Sequence, residues 1–212
     1  MSSQAEFFDS YADRWDSMER EDICARLDRV VRESGINPGM RILDVGTGTG
    51  VLIPRLLEAM GNSGSILAID ISQGMLQVAA SKGFPDNVRF QLADIEDFDY
   101  PDCSFDRVMC NAVFPHFRNK QAALTRIYRL LRPGGLLVIS HPIGREAVNQ
   151  VHRESGPVVA EDRVPDTKRM RQILEAVGLA DIRVIDEPEF YLATGRRPLV
   201  GGNWRQRVEL SR

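Results

Sequence analysis

The residues whose types and spacing can do chemistry begin at Ile42-Leu43-Asp44-Val45-Gly46-Thr47-Gly48-Thr49-Gly50. This reads as a buried strand ending on an acid, three glycines at alternate positions, and the start of a helix. Glycine has no Cβ, so it accepts positive φ and lets a ligand lie against bare main chain. The helix start adds unpaired N–H groups. A dinucleotide site wants Gly-x-Gly-x-x-Gly/Ala. Here that last position is Val51 and the third glycine arrives one residue early. An acid on the strand itself, Asp44, would also repel a pyrophosphate and suits a cationic ligand. An oxidoreductase using a nicotinamide nucleotide is therefore disfavoured. Two more acids follow in the same setting. Asp70 closes Ile66-Leu67-Ala68-Ile69-Asp70, where a carboxylate can accept from both hydroxyls of a ribose. Asp94 closes Leu92-Ala93-Asp94-Ile95, in reach of an adenine amino group. Each acid alone has a plain reading as a helix cap. Three of them ending adjacent strands argue jointly for a nucleoside.

The elements that must position these acids are short apolar runs alternating with amphipathic stretches. Strands are predicted at 41–45, 65–70, 88–93, 105–111 and 136–140, rich in Val, Ile and Leu without clean alternation, as strands covered on both faces are. Helices are predicted at 51–60, 72–81 and 120–131, the last stopped by Arg132-Pro133-Gly134-Gly135. Pro54 falls in a first helical turn, where its missing N–H costs little. A helix over 21–34 turns Ile23, Leu27, Val30 and Val31 onto the first strands. A further helix over 167–177 leads to strands at 181–186 and 190–194, joined by Glu187-Pro188-Glu189 as an antiparallel hairpin. The fold class expected is α/β: a doubly wound, Rossmann-like, mostly parallel seven-stranded sheet with an antiparallel strand at the C-terminal edge. One domain is expected over 1–212, with a helical cap over 1–35 and a lid or substrate loop over 141–166. That second segment is long for a connection in a compact domain.

The motifs in order, Asp44-Val45-Gly46-Thr47-Gly48-Thr49-Gly50, Ala68-Ile69-Asp70, Ala93-Asp94-Ile95, Phe105-Asp106-Arg107-Val108-Met109-Cys110-Asn111 and Leu131-Arg132-Pro133-Gly134-Gly135-Leu136-Leu137, resemble those of class I S-adenosylmethionine-dependent methyltransferases. The opening Phe8-Asp9-Ser10-Tyr11-Ala12-Asp13-Arg14-Trp15-Asp16 resembles the leading motif of the ubiquinone/menaquinone-biosynthesis subgroup. The resemblance implies S-adenosylmethionine as cofactor and S-adenosylhomocysteine as product. It implies Asp44 at the methionine ammonium, Gly46, Gly48 and Gly50 admitting the cofactor, and Asp70 with Ile71 at the ribose. It also implies Asp94 and Ile95 at the adenine, Asn111 near the methionine, and an aromatic Trp15 helping to close the site.

Methyl transfer from a sulfonium needs a base only when the acceptor must lose a proton. His116 and His141 follow the fourth and fifth strands, whose ends should open on the cofactor crevice, and are the candidate catalytic bases. In a helix over 145–153, Arg145, Asn149 and His152 share a face and would wall the acceptor site. Tyr11, Tyr191 and Trp204 are polar aromatics suited to a planar acceptor, with core or edge packing the plainer reading for Tyr191. The plain reading of the histidines is capping in a solvated loop. A three-histidine metal site is a further option, but nothing local fixes the distances it needs, and no metal is expected.

Composition bounds the partners. Among 212 residues, 27 Lys and Arg face 30 Asp and Glu, a net charge of −3, with 43% hydrophobic residues. That disfavours a protein that coats nucleic acid. Arg205, Arg207 and Arg212 read as a solvated tail. Cys24, Cys103 and Cys110 form neither a disulfide framework nor a metal pair. The acidic first twenty residues resemble no targeting signal, and the longest aliphatic run, 136–139, is far short of a membrane span. The expectation is a cytoplasmic protein, monomer or homodimer, methylating a small molecule at O, N or C. Competing readings are an RNA or protein methyltransferase, and a non-catalytic module that holds S-adenosylmethionine or S-adenosylhomocysteine.

Overall fold

In the computed structural model, residues 4–12 and 21–199 are described, 21 and 22 by their main chain alone. The elements run α1 (Gln4–Asp9), α2 (Glu21–Ser34), β1 (Arg41–Val45), α3 (Ile53–Met60), β2 (Ser65–Asp70), α4 (Gln73–Ser81), β3 (Val88–Leu92), β4 (Phe105–Asn111), a 3-10 turn (Phe114–His116), α5 (Lys120–Leu130), β5 (Leu131–His141), α6 (Arg145–Glu154), α7 (Thr167–Ala176), β6 (Ala180–Glu187) and β7 (Phe190–Arg196). The sheet order is β3-β2-β1-β4-β5-β7-β6. β1 to β5 pair in parallel, and β7 runs antiparallel to both β5 and β6. The hairpin therefore folds back so that its second strand, not its first, docks on β5. Strand order reverses between β1 and β4, which opens a crevice at their carboxyl ends.

Two apolar layers hold the sheet. Ile42, Ile66, Met109, Val138 and Leu192 face α2 and α3 through Leu27, Val30, Ile53 and Leu56. Leu43, Val108, Leu137 and Ala193 face α5 and α7 through Leu124, Ile127, Met170 and Leu174. Pro54 does sit in the first turn of α3. Helix α5 stops just before Arg132-Pro133-Gly134-Gly135, as expected, but β5 begins at Leu131 rather than 136, so these four residues lie within the strand. Leu131 pairs with Phe105, Leu136 with Arg107, and the extra residues are taken up as an irregularity in the ladder, with Gly134 at φ 80°. A bulge tolerates both the missing proline N–H and the glycine's positive φ. No helix among the described residues is long and apolar enough to cross a membrane.

Candidate active site

The crevice at the β1/β4 switch is a cavity of about 500 Å³. Its floor is the loop after β1. Gly46 and Thr47 donate their N–H groups to Ile69 O at 2.8 and 3.0 Å, and Gly48 N–H donates to Asp70 Oδ2 at 2.8 Å. The ends of β1 and β2 are thus tied before any ligand arrives. Gly46, Gly48 and Gly50 have φ of 65°, 55° and 80°, a region costly for residues with a Cβ. Their surroundings divide their roles. A Cβ on Gly48 would meet nothing within 4 Å among the described residues, one on Gly46 would sit 2.3 Å from Val113, and one on Gly50 would press on Ile53 and Phe84 at 3.1 and 3.2 Å. Gly46 and Gly48 line the cavity and Gly50 does not. Gly50 leaves room instead for Ile53 of α3, Ala79 of α4 and Phe84 beyond it.

The acids differ in their surroundings. Asp44 is 1% exposed, and among the described residues its one hydrogen bond is the Thr47 hydroxyl donating to Oδ2 at 2.7 Å. Burial, with the nearby charge of Asp70 adding, pushes its pKa up to about 7 against the help of Thr47. A desolvated carboxylate with one neutral donor, lining a cavity, is matched to a cationic group. Asp70 is also buried, and burial raises its pKa while the N–H groups of Ser72, Gly48 and Ile71 oppose that rise. Ser72 N–H reaches Asp70 Oδ1 at 2.9 Å. Asp94 accepts from Glu96 N–H at 3.0 Å and from Arg118 Nη2 at 2.7 Å. Ile71, Ile95 and Asn111 line the same cavity, and Asn111 Oδ1 accepts from the Ser140 hydroxyl at 2.9 Å.

Helix α1 closes one side, with Gln4, Ala5 and Phe8 in the cavity wall. It is latched to α4, where the Ser72 hydroxyl and Gly74 N–H donate to Asp9 Oδ1 at 2.5 and 2.9 Å. His116 also lines the cavity, on a turn anchored by buried Phe114 and Pro115. Lys120 Nζ donates to the carbonyls of Pro115 and Phe117 at 2.8 and 3.1 Å and fixes that turn. His116 Nδ1 lies 2.7 Å from Asp162 Oδ2, and Phe8 packs edge-on against the ring at 5.1 Å between centroids.

Other candidates from the sequence lie elsewhere. His141 is outside the cavity wall, 2% exposed, with Nε2 buried and without a partner among the described residues. Burial, with His116 and His152 adding, pushes its pKa down to about 3, which removes it as a base poised near neutrality. Arg145, Asn149 and His152 do share α6, but none lines this cavity, and each bonds another part of the chain. Arg145 Nε bonds Asp186 at 2.8 Å. Asn149 clamps both main-chain groups of Val164 at 2.8 and 3.2 Å. His152 Nδ1 donates to Asp162 O at 2.6 Å. Tyr11 packs on Phe7 at 5.0 Å and is not in the wall. Tyr191 is fully buried in the sheet, its hydroxyl without a partner among the described residues. Among the described residues no group of three or more His, Cys, Asp or Glu is placed to hold a metal ion. Trp15, Trp204, Arg205, Arg207 and Arg212 lie outside the described residues. The sequence does not mark Gln4, Phe8, Val113, Arg118 or Asp162 individually, although Phe8 lies in the opening motif, Gln4 in the expected cap and Asp162 in the expected lid or substrate loop.

A family profile described as a methyltransferase domain matches residues 36–178. The ubiquinone/menaquinone biosynthesis C-methyltransferase UbiE of Hahella chejuensis is 29% identical over 191 residues, covering 83% of this chain and 76% of that protein. UbiE of Ectopseudomonas mendocina is 34% identical over 144 residues, covering 64% of this chain and 56% of that protein. The chain thus spans about half to three quarters of the length of these relatives. A solved S-adenosylmethionine-dependent methyltransferase from Aquifex aeolicus superposes with a TM-score of 0.69 at 25% identity, over 87% of this chain and 96% of that one. The chain belongs to the methyltransferase-domain family, as a class I S-adenosylmethionine-dependent methyltransferase of the UbiE-like type. The cavity suits that methyl donor: a desolvated acid for its cationic end, an open main chain at Gly48, and a second acid at the tip of β2.

Proposed function

We propose that this chain methylates an O, N or C atom of a small molecule, with His116 as the base for an acceptor that must lose a proton. The observation that carries the reading is that Asp44, Asp70, Asp94 and His116 wall one cavity of about 500 Å³ closed on one side by α1. S-adenosylmethionine supplies the activated methyl group when bound. Asp44 would meet its ammonium directly or through water, Asp70 with Ile71 its ribose, Asp94 and Ile95 its adenine, and Asn111 its methionine portion. Trp15 is assigned to closure of the site by resemblance alone. A cavity this size leaves little room beyond a nucleoside cofactor, which favours a small acceptor over RNA or protein. The relatives named for C-methylation, and a wall containing Phe8, Val113 and Phe117, favour a carbon on a planar ring. The segments 1–35 and 141–166 act as cap and lid, a reading supported by Gln4 Nε2 meeting Asp162 Oδ2 at 3.0 Å. Their task is to exclude water and hold the acceptor in line, where proximity supplies about 7–11 kcal/mol.

Calorimetry is expected to show S-adenosylmethionine binding that Asp70→Ala weakens by at least about 1 kcal/mol, since a hydrogen bond to a charged acceptor is worth about 1.5–3 kcal/mol. Unchanged binding removes Asp70 from the site. A radiolabelled-methyl screen of metabolite extracts then finds the acceptor. Binding with no labelled product in any extract would favour a module that holds the cofactor without catalysis.

A further inference from the structure

We propose that Asp162 is a positioning residue for methyl transfer: it fixes the His116 imidazole as the Nδ1–H tautomer, so that Nε2 is the bare nitrogen at the cavity wall. The inference rests on the reading of His116 as the base. An ionised carboxylate only accepts hydrogen bonds, so at 2.7 Å the proton between Asp162 Oδ2 and His116 lies on Nδ1. Both side chains are largely withdrawn from water, 10% and 18% exposed, where a charge-assisted bond holds its geometry. Among the described residues no partner is recorded for His116 Nε2.

Asp162 belongs to a loop without regular structure, yet it is restrained on several sides. Its N–H donates to Val159 O at 3.0 Å and its carbonyl accepts from His152 Nδ1 at 2.6 Å. Two residues on, Asn149 clamps both main-chain groups of Val164. Gln4 of α1 donates to the same carboxylate oxygen that His116 uses. This explains what the polar face of α6 does: Asn149 and His152 hold the segment that holds the base. It also ties the base to α1, whose other end is latched through Asp9 to the helix after Asp70.

In the reaction, His116 Nε2 takes the acceptor's proton as the acceptor's electron pair forms the bond to the methyl carbon. The pair of the broken carbon–sulfur bond stays on sulfur. The imidazolium so formed keeps its Nδ1 proton against the Asp162 carboxylate, and the two charges offset one another in a site with little water.

The test is long-range ¹H–¹⁵N NMR of the ring nitrogens in the full chain without ligand, with His116 assigned by loss of its signals in His116→Gln. Neutral His116 is expected as Nδ1–H by at least tenfold. In Asp162→Leu the balance should move towards Nε2–H, the form free imidazole side chains prefer. Should that variant not fold, Asp162→Asn keeps an acceptor oxygen, and its Nδ1 proton should move upfield as a charge-assisted bond becomes a neutral one. An Nε2–H tautomer in the wild type, or ring signals indifferent to both substitutions, overturns the proposal. With an acceptor found by the labelling screen, Asp162→Asn should lower kcat at least tenfold and leave the KM for S-adenosylmethionine within twofold, and Asp162→Glu should recover part of the loss. A wild-type kcat in His116→Gln beside the expected NMR result would instead overturn the base reading while leaving the pairing intact.

Discussion

Around neutrality, where most carboxylates are fully ionised, Asp44 still holds part of its proton, because burial pushes its pKa up to about 7. A cation settling against it reverses that preference, so cofactor binding at lower pH must expel a proton. From pH 8 to pH 6 the ionised fraction of a group with this pKa falls about tenfold, and the affinity for S-adenosylmethionine should fall by a similar factor. Asp44→Asn should bind weakly at both values and lose most of that slope, as calorimetry at the two pH values will show. Equal pH slopes in wild type and variant would remove Asp44 from the ammonium site. Acids of this kind are legible in a sequence because each ends an apolar run, so residue type and strand position are read together. Arg118, which crosses to Asp94 from 24 residues away, carries no such local mark. Nor does Asp162, 46 residues from the histidine it meets.

The loop between β1 and α3 shows how far an element can be read from its pattern. Glycines at alternate positions announce bare main chain, but only the packed neighbours separate their duties. Gly46→Ala places a methyl group 2.3 Å from Val113 at a φ of 65°, and should cost about 2–5 kcal/mol of stability through strain and overpacking. Gly48→Ala enters open space at a φ of 55°, so it should cost only about 1–2 kcal/mol of stability. Its methyl group would enter the cavity proposed for the cofactor, so its larger effect should be on S-adenosylmethionine affinity. Urea denaturation and calorimetry on the two variants check the contrast, and equal stability losses with equal affinities would contradict it. Helix α6 teaches the opposite lesson. Its shared polar face is evident from spacing, but spacing does not say what the face meets. Here it meets the chain's own loop at Val164 and Asp162. Likewise Pro133 and Gly134 mark the end of α5 because local propensity breaks a helix there, but only the pairing of Leu131 with Phe105 shows that they join the sheet.

At the scale of the whole molecule, the parallel core was legible because buried strands write themselves as apolar runs, whereas closure of the cavity depends on contacts distant in sequence. Gln4 meets Asp162 across 158 residues. Burial of titratable groups also gives the fold a pH signature. His141, whose pKa burial pushes down to about 3, binds fewer protons folded than unfolded. Its contribution is therefore intact above its unfolded pKa near 6.5 and is lost as pH falls from there towards 3. Between pH 7 and pH 5 that amounts to about 2 kcal/mol. His141→Phe should lose correspondingly less stability over this interval in urea titrations, and an identical loss in both proteins would place the acid sensitivity elsewhere. The central claim, that the strand ends of β1, β2 and β3 form a seat for S-adenosylmethionine, is tested most directly by a crystal structure grown with S-adenosylhomocysteine. The expected density fills the cavity, with ribose hydroxyls on Asp70 and the amino group towards Asp44. Density at another place on the protein, or a cavity that stays empty at saturating ligand, would contradict it.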